Sequence, residues 1–159
     1  MTLIIETGAG VAGANTYVSA ADFITYAAAR GYTINPVEAE KWIVLAMDYL
    51  ETLQFIGVRQ QRDQSLQWPR YDVVIDSWYL NPNTIPPELI KAENEIAIQM
   101  SLGNDPIQNR EPDIKSEQVG SIKVEYADGA SSITLPIRIT NFLAKLVEGG
   151  GASFKVGRA

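Results

Sequence analysis

Apolar and polar positions alternate along this chain with two periods, one near 3.6 residues and one of two. Together they predict about four helices and a small hairpin. Leu3-Ile4-Ile5 reads as a short strand or extended arm, and the small residues from Gly8 to Ala14 that follow make a linker of high backbone freedom. Ser19, with Asp22 three residues on, opens a capping-box pattern ahead of Phe23, Ile24, Tyr26 and Ala27. That first helix is predicted to stop at Gly31, with Arg30 in its last turn against the negative end of the dipole.

The second helix is predicted from Asn35 as N-cap, Pro36 at the first helical position and Glu38 bonding back. Trp42, Leu45, Ala46, Tyr49 and Leu53 share one face, the expected inner one; Ile43, Val44, Met47 and Leu50 are apolar outside it. A helix this apolar around its circumference is central or covered by a neighbour. Residues 55–84 are irregular, with Pro69 forcing Trp68 out of helical conformation. Pro86-Pro87-Glu88 opens a third helix running to about Gly103, with Leu89, Ala92, Ile96 and Met100 inward and Lys91, Glu95 and Gln99 as a solvated stripe. Ile122, Val124 and Tyr126 alternate like a half-buried strand, with Asp128-Gly129 as the turn and Ile133-Thr134-Leu135 as the returning strand. After Pro136, Ile137, Thr140, Leu143, Ala144 and Val147 are expected to face inward, and Arg138, Asn141, Lys145 and Glu148 outward.

The resulting fold class is mainly α: a compact bundle of about four helices with a small β-hairpin near 121–135, a long irregular loop and extended termini. Its organisation reads as an arm and Gly-rich linker over 1–18, a helical domain over 19–148 and a tail over 149–159.

Composition narrows the chemistry. The 159 residues include no histidine and no cysteine. A thiolate nucleophile, an imidazole base, a Ser-His-Asp triad, a disulfide and a Cys/His zinc site are therefore excluded. No catalytic, metal or cofactor-binding residue is assigned, and the expectation is a non-enzyme. Thirteen basic against nineteen acidic residues give a net charge of −6, which opposes general nucleic-acid binding. With neither a basic leader followed by an apolar run nor a segment of membrane-spanning length, the chain is expected to be made in a cytoplasm.

Three constellations invite a functional reading. Gly8-x-Gly10-x-x-Gly13 matches the dinucleotide fingerprint formally, but Asn15 to Val18 separate it from the first helix signal. A phosphate-binding turn must run straight into a helix N-terminus, so a flexible arm is the better reading. The local acid pairs, such as Glu93 and Glu95, lie two residues apart and do not face one another on a helix, so solvated faces are expected. Arg59, Arg62 and Arg70 are interleaved with Phe55, Trp68, Tyr71 and Trp78. Such a set can stack single-stranded bases and hold phosphates, or pin a long loop and meet a partner protein. The acidity of the whole chain favours the second.

Several segments resemble a small family of tailed-phage and prophage modules: Asn15-Thr16-Tyr17-Val18-Ser19-Ala20-Ala21-Asp22, Leu45-Ala46-Met47-Asp48-Tyr49-Leu50, Gln64-x-Leu66-x-Trp68-Pro69-Arg70, Ile85-Pro86-Pro87-Glu88-Leu89 and Val119 to Tyr126. The family carries a DnaT-like single-stranded-DNA-binding label and is also similar to head–tail connector (adaptor) proteins. The connector likeness implies a virion protein at the head–tail junction, ringed with copies of itself beneath a portal protein. Double-stranded DNA would pass through the bore and a tail completion protein would dock below. It implies interface roles for Arg59, Arg62, Trp68, Arg70 and Tyr71 and, on the tail, for Phe154, Lys155 and Arg158. The other label implies a single-stranded-DNA binder. A DNA conduit suits acidic walls and a single-strand binder a basic groove, so net charge favours the connector.

Overall fold

The structure of the protein is a computed structural model that describes residues 2–106 and 136–148, with the backbone of 116–119 and 122–125. Four helices, α1 (Ala20–Ala28), α2 (Ala39–Glu51), α3 (Pro87–Ser101) and α4 (Ile137–Leu143), pack with α3 at the centre, against α2, α4 and α1. Three two-stranded antiparallel pairs accompany them: β1 (Val58–Arg59) with β2 (Arg70–Tyr71), β3 (Val74–Ile75) with β4 (Trp78–Tyr79), and β5 (Ser116–Val119) with β6 (Ile122–Glu125). The mainly α architecture expected from the periodicity is the one observed.

Local chemistry explains where the helices begin and end. The Ser19 hydroxyl accepts the Asp22 N–H at 3.0 Å and so caps α1. Gly31, at φ +81°, closes it in the left-handed conformation that a glycine adopts without steric cost. Pro87 starts α3, where the missing N–H costs nothing. On the N-terminal side, Ile5 bridges Thr16 in parallel, bringing the residues after the glycines back beside the arm.

Four expectations are corrected. α2 begins at Ala39, because the Asn35 side chain caps a preceding turn instead, accepting the Val37 N–H at 3.1 Å. Its buried face carries Ala39, Ile43, Ala46, Met47 and Leu50, while Trp42, Leu45, Tyr49 and Leu53 are only partly buried. On a helix apolar all round, the side with small residues permits the closer approach, and the amphipathic Trp42 and Tyr49 stay at the rim. In α4 the buried residues are Ile139 and Leu143, followed by Leu146, leaving Ile137 largely exposed. β6 pairs back onto β5 across two residues, with Val119 opposite Ile122, as a short Gly-containing connection permits. The expected turn at Asp128-Gly129 and the returning strand at 133–135 lie outside the described residues.

The core joins Phe23 of α1, Ile43 and Leu50 of α2, Leu89 and Ile96 of α3 and Ile139 of α4 to Trp68 of the connecting segment. Each such side chain contributes roughly 1.5–3 kcal/mol by leaving water. Since α3 is surrounded, polar residues on it are buried too. Glu93, Asn94 and Glu95 all lie inside, so the solvated stripe expected along Lys91, Glu95 and Gln99 is interrupted at Glu95.

Candidate nucleic-acid interface

The segment from Phe55 to Thr84, irregular in sequence, is organised by one arginine. Arg70 is buried, and its guanidinium donates to the carbonyls of Ile56 (2.7 Å), Gly57 (2.8 Å), Phe55 (3.0 Å) and Gln67 (3.2 Å), and to the Gln67 side chain at 3.1 Å. A planar fork with five donors suits this convergence of acceptors, which Lys could not replace. Burial, aided by Arg59, lowers its pKa from the ordinary arginine value. Trp68, whose peptide bond to Pro69 is cis, is fully buried and meets Phe55 edge-on with ring centroids 6.0 Å apart. The Trp68 backbone N–H donates to the Tyr17 hydroxyl at 3.2 Å, fastening the segment to the N-terminal arm. Burial, reinforced by Glu51, holds that phenol protonated well above its ordinary pKa.

Above this neck the surface changes character. Asp76 and Ser77 both have positive φ, 51° and 71°, the geometry of a type I′ turn, so β3 and β4 form a tight hairpin. Trp78 and Tyr79 stand on it, each 80% exposed. Tyr71, Val58 and Val74 add further exposed apolar surface, with Tyr71 opposite Val58 in the first hairpin. Arg62 is exposed, and half-buried Arg59 donates to Gln67 at 3.2 Å. Of the residues singled out in the sequence, Arg59, Arg62 and Tyr71 thus lie outward, whereas Trp68 and Arg70 hold the neck from inside. Phe154, Lys155 and Arg158 lie outside the described residues. Tyr79 was not singled out, and Trp78 only as part of the aromatic set. The Asp76-Ser77 pair between two short β-prone runs is the signal that would have found their hairpin.

The formal dinucleotide motif has another use. Glu6, two residues before Gly8, is buried, and its carboxylate accepts the N–H groups of Gly8 (2.8 Å), Gly10 (3.0 Å) and Val11 (2.6 Å). Donors that would cradle a phosphate are occupied by the chain's own carboxylate. Gly8, at φ +102°, also lies against the Asn83 carbonyl with no room for a Cβ.

Two further acids are internal. Glu95 Oε1 is reached by Arg138 at 2.9 Å, the Tyr26 hydroxyl at 3.0 Å and Arg30 at 3.2 Å. Glu93 lies in the core beside Thr16 and Tyr17, and burial pushes its pKa up to about 8. Among the described residues no group of three or more His, Cys, Asp or Glu is placed to hold a metal ion, and no helix is long and apolar enough to cross a membrane.

A family model described as "Putative DnaT-like ssDNA binding protein" matches residues 1–159, and the chain belongs to that family. No curated protein and no solved structure matches the chain. The family match overturns the reading as a virion head–tail connector ring: it describes single-strand binding and supports neither portal nor ring. The charge argument behind that reading fails for a physical reason. Glu6, Glu93 and Glu95 are buried, so the acid surplus overstates what the surface presents.

Proposed function

We propose that this protein binds single-stranded DNA with the β3–β4 hairpin as a stacking platform, Trp78 and Tyr79 offering one exposed ring on each of its two faces, and that it performs no chemical reaction. The observation that carries this reading is the outward stance of two adjacent aromatic residues on a tight turn, above a neck fixed by Arg70 and Trp68. Large rings left in water on a rigid support are what a sequence-tolerant single-strand binder needs, because every base offers a π-face. Membership in a family described by single-strand binding supports it.

The platform itself carries little charge. Arg70 is consumed internally, which leaves Arg59 and Arg62 to meet phosphates. Binding to a short oligonucleotide is therefore expected to depend weakly on salt, with a log–log slope of about −1.4 for two neutralised phosphates on a single strand. Stacking is worth about 1–3 kcal/mol per base, so Trp78→Ala lowers affinity by roughly 5- to 150-fold. A fluorescence titration with oligothymidylate tests this, because the other two tryptophans are half-buried Trp42 and fully buried Trp68. Quenching that is lost in Trp78→Ala, at unchanged melting temperature, is the expected result. An affinity indifferent to Trp78 and Tyr79 would refute the reading.

A further inference from the structure

A row of cations leads away from the stacking platform along one side of the bundle. Lys145, just beyond α4, reaches Asp76 in the β3–β4 turn at 2.6 Å, so the row begins two residues from Trp78. Seven residues back in the chain, in the first turn of α4, stands Arg138. Phe142 lies between them, with the Lys91 ammonium 5.8 Å from its ring centre. Beyond Arg138 comes Arg30, which shares Glu95 Oε1 with it and stacks 3.3 Å over the Tyr26 ring.

We infer that this strip, Lys145–Phe142–Lys91–Arg138–Arg30–Tyr26, is the path along which the backbone of a bound single strand leaves the hairpin platform. The inference rests on the function proposed above and extends it to the opposite end of α4. Three things on the surface favour a polynucleotide. Four cations gather in a chain whose net charge is −6. The acids beside them among the described residues are subdued: Glu95 is buried and already shared by two arginines, Asp76 is engaged by Lys145, and Glu88 near Lys145 is half-buried. The exposed Lys145–Asp76 pair is of a kind that contributes little, so a phosphate can replace the carboxylate at small cost. Finally, Phe142 is a half-buried ring set among Lys145, Lys91 and Arg138, and half-buried Tyr26 closes the row against Arg30, the mixture of rings and cations that suits a single strand.

The test compares oligothymidylates of about four and about twelve nucleotides, both within the span of single-strand binding sites. Fluorescence anisotropy across about 50 to 200 mM salt reads affinity and slope. The longer oligomer is expected to bind more tightly, with a slope steeper by up to about 2.8, since four more cations each contribute about 0.7. Lys91→Gln with Lys145→Gln, both at exposed positions, is expected to shrink the slope difference by about 1.4. Arg138→Gln, which leaves Arg30 paired to Glu95, is a second variant and is expected to remove about 0.7. Equal affinities and slopes for the two lengths, or a slope unmoved in both variants, overturns the strip and leaves the platform standing. Absence of binding to either oligomer overturns both. Displacement of the long oligomer by oligoglutamate of equal charge, as effectively as by oligothymidylate, overturns the strip in favour of an acidic protein partner.

Discussion

Replacing Glu93 by glutamine tests how the core handles a buried acid. Glu93 is fully buried on α3, with Oε1 2.6 Å from the Thr16 hydroxyl and Oε2 3.1 Å from the Tyr17 N–H. Thr16 has one proton, and its oxygen also lies 2.9 Å from the Val18 carbonyl while accepting the Val18 N–H at 3.0 Å. If Glu93 is ionised, the single Thr16 proton must choose between two acceptors. If Glu93 is protonated, it donates to Thr16, Thr16 donates to Val18, and every partner is satisfied. Burial lifts the carboxyl from its ordinary 4.5 to about 8, against the smaller opposing pull of the hydrogen bonds from Thr16 and Tyr17. The folded state thus binds this proton more tightly than the unfolded state does. The associated stability is fully present below pH 4.5 and is lost as pH rises through 8. At about 1.36 kcal/mol per pH unit, the loss is about 3 kcal/mol by pH 7 and approaches about 5 kcal/mol above pH 8. Glu93→Gln is neutral at every pH, can accept from Tyr17 and can donate to Thr16. Urea unfolding followed by circular dichroism is expected to show the variant's advantage growing from near zero at about pH 4.5 to about 3 kcal/mol at pH 7. A difference between the two proteins that stays constant from pH 4.5 to 8 would refute the reasoning.

Arg70→Lys keeps the charge but loses the fork, leaving several carbonyls between Phe55 and Gln67 without donors; a loss of at least about 3 kcal/mol is expected, read as a lower urea midpoint. Trp68 fluorescence, shifting to the red in the same variant, reports that the neck has opened. Gly57→Ala and Gly31→Ala separate strain from collision. Both positions have positive φ, 76° and 81°, but a Cβ at 57 meets the Tyr71 carbonyl and the Val73 side chain, whereas one at 31 meets nothing. Calorimetry is expected to find about 1–2 kcal/mol lost at 31 and distinctly more at 57.

Several features that reside in one or two neighbouring residues were legible in the sequence, although the Asn35-Pro36 signal marked a turn ahead of α2 rather than its start. Ser19 with Asp22, Gly31 and Pro87 mark helix boundaries because caps, left-handed closure and proline geometry act locally. What depended on the surroundings was not legible. α2 is apolar around its circumference, so its periodicity carries no information about which side is buried; only contact with α3 decides. Glu95 and Lys91, four residues apart, predict a solvated stripe, yet α1 and α4 cover Glu95 and supply Arg30 and Arg138. The Trp68-Pro69-Arg70 motif correctly marks a special place but misdirects attention outward, because an arginine among aromatics has the same signature whether it meets phosphate or carbonyl. Gly8-x-Gly10-x-x-Gly13 shows the same ambiguity: a loop of N–H groups binds an anion, and the nearest anion is Glu6.

Net charge misled for a related reason. A sum over residues treats every carboxylate as a surface charge, but a carboxylate reaches solvent only if the fold leaves it there. Here Glu6 is held by three backbone N–H groups, Glu95 by two arginines, and Glu93 carries its proton at neutral pH. The cations of the α4 strip, by contrast, keep much of their surface: the Arg138 and Lys145 side chains are 54% and 52% exposed. Folding therefore hides three acids and one arginine and leaves the cations of the strip at the surface of a molecule that remains acidic as a whole. Such an arrangement favours contact with a polyanion along one path and discourages it elsewhere. On the proposed function, a single strand would follow that path rather than coat the protein.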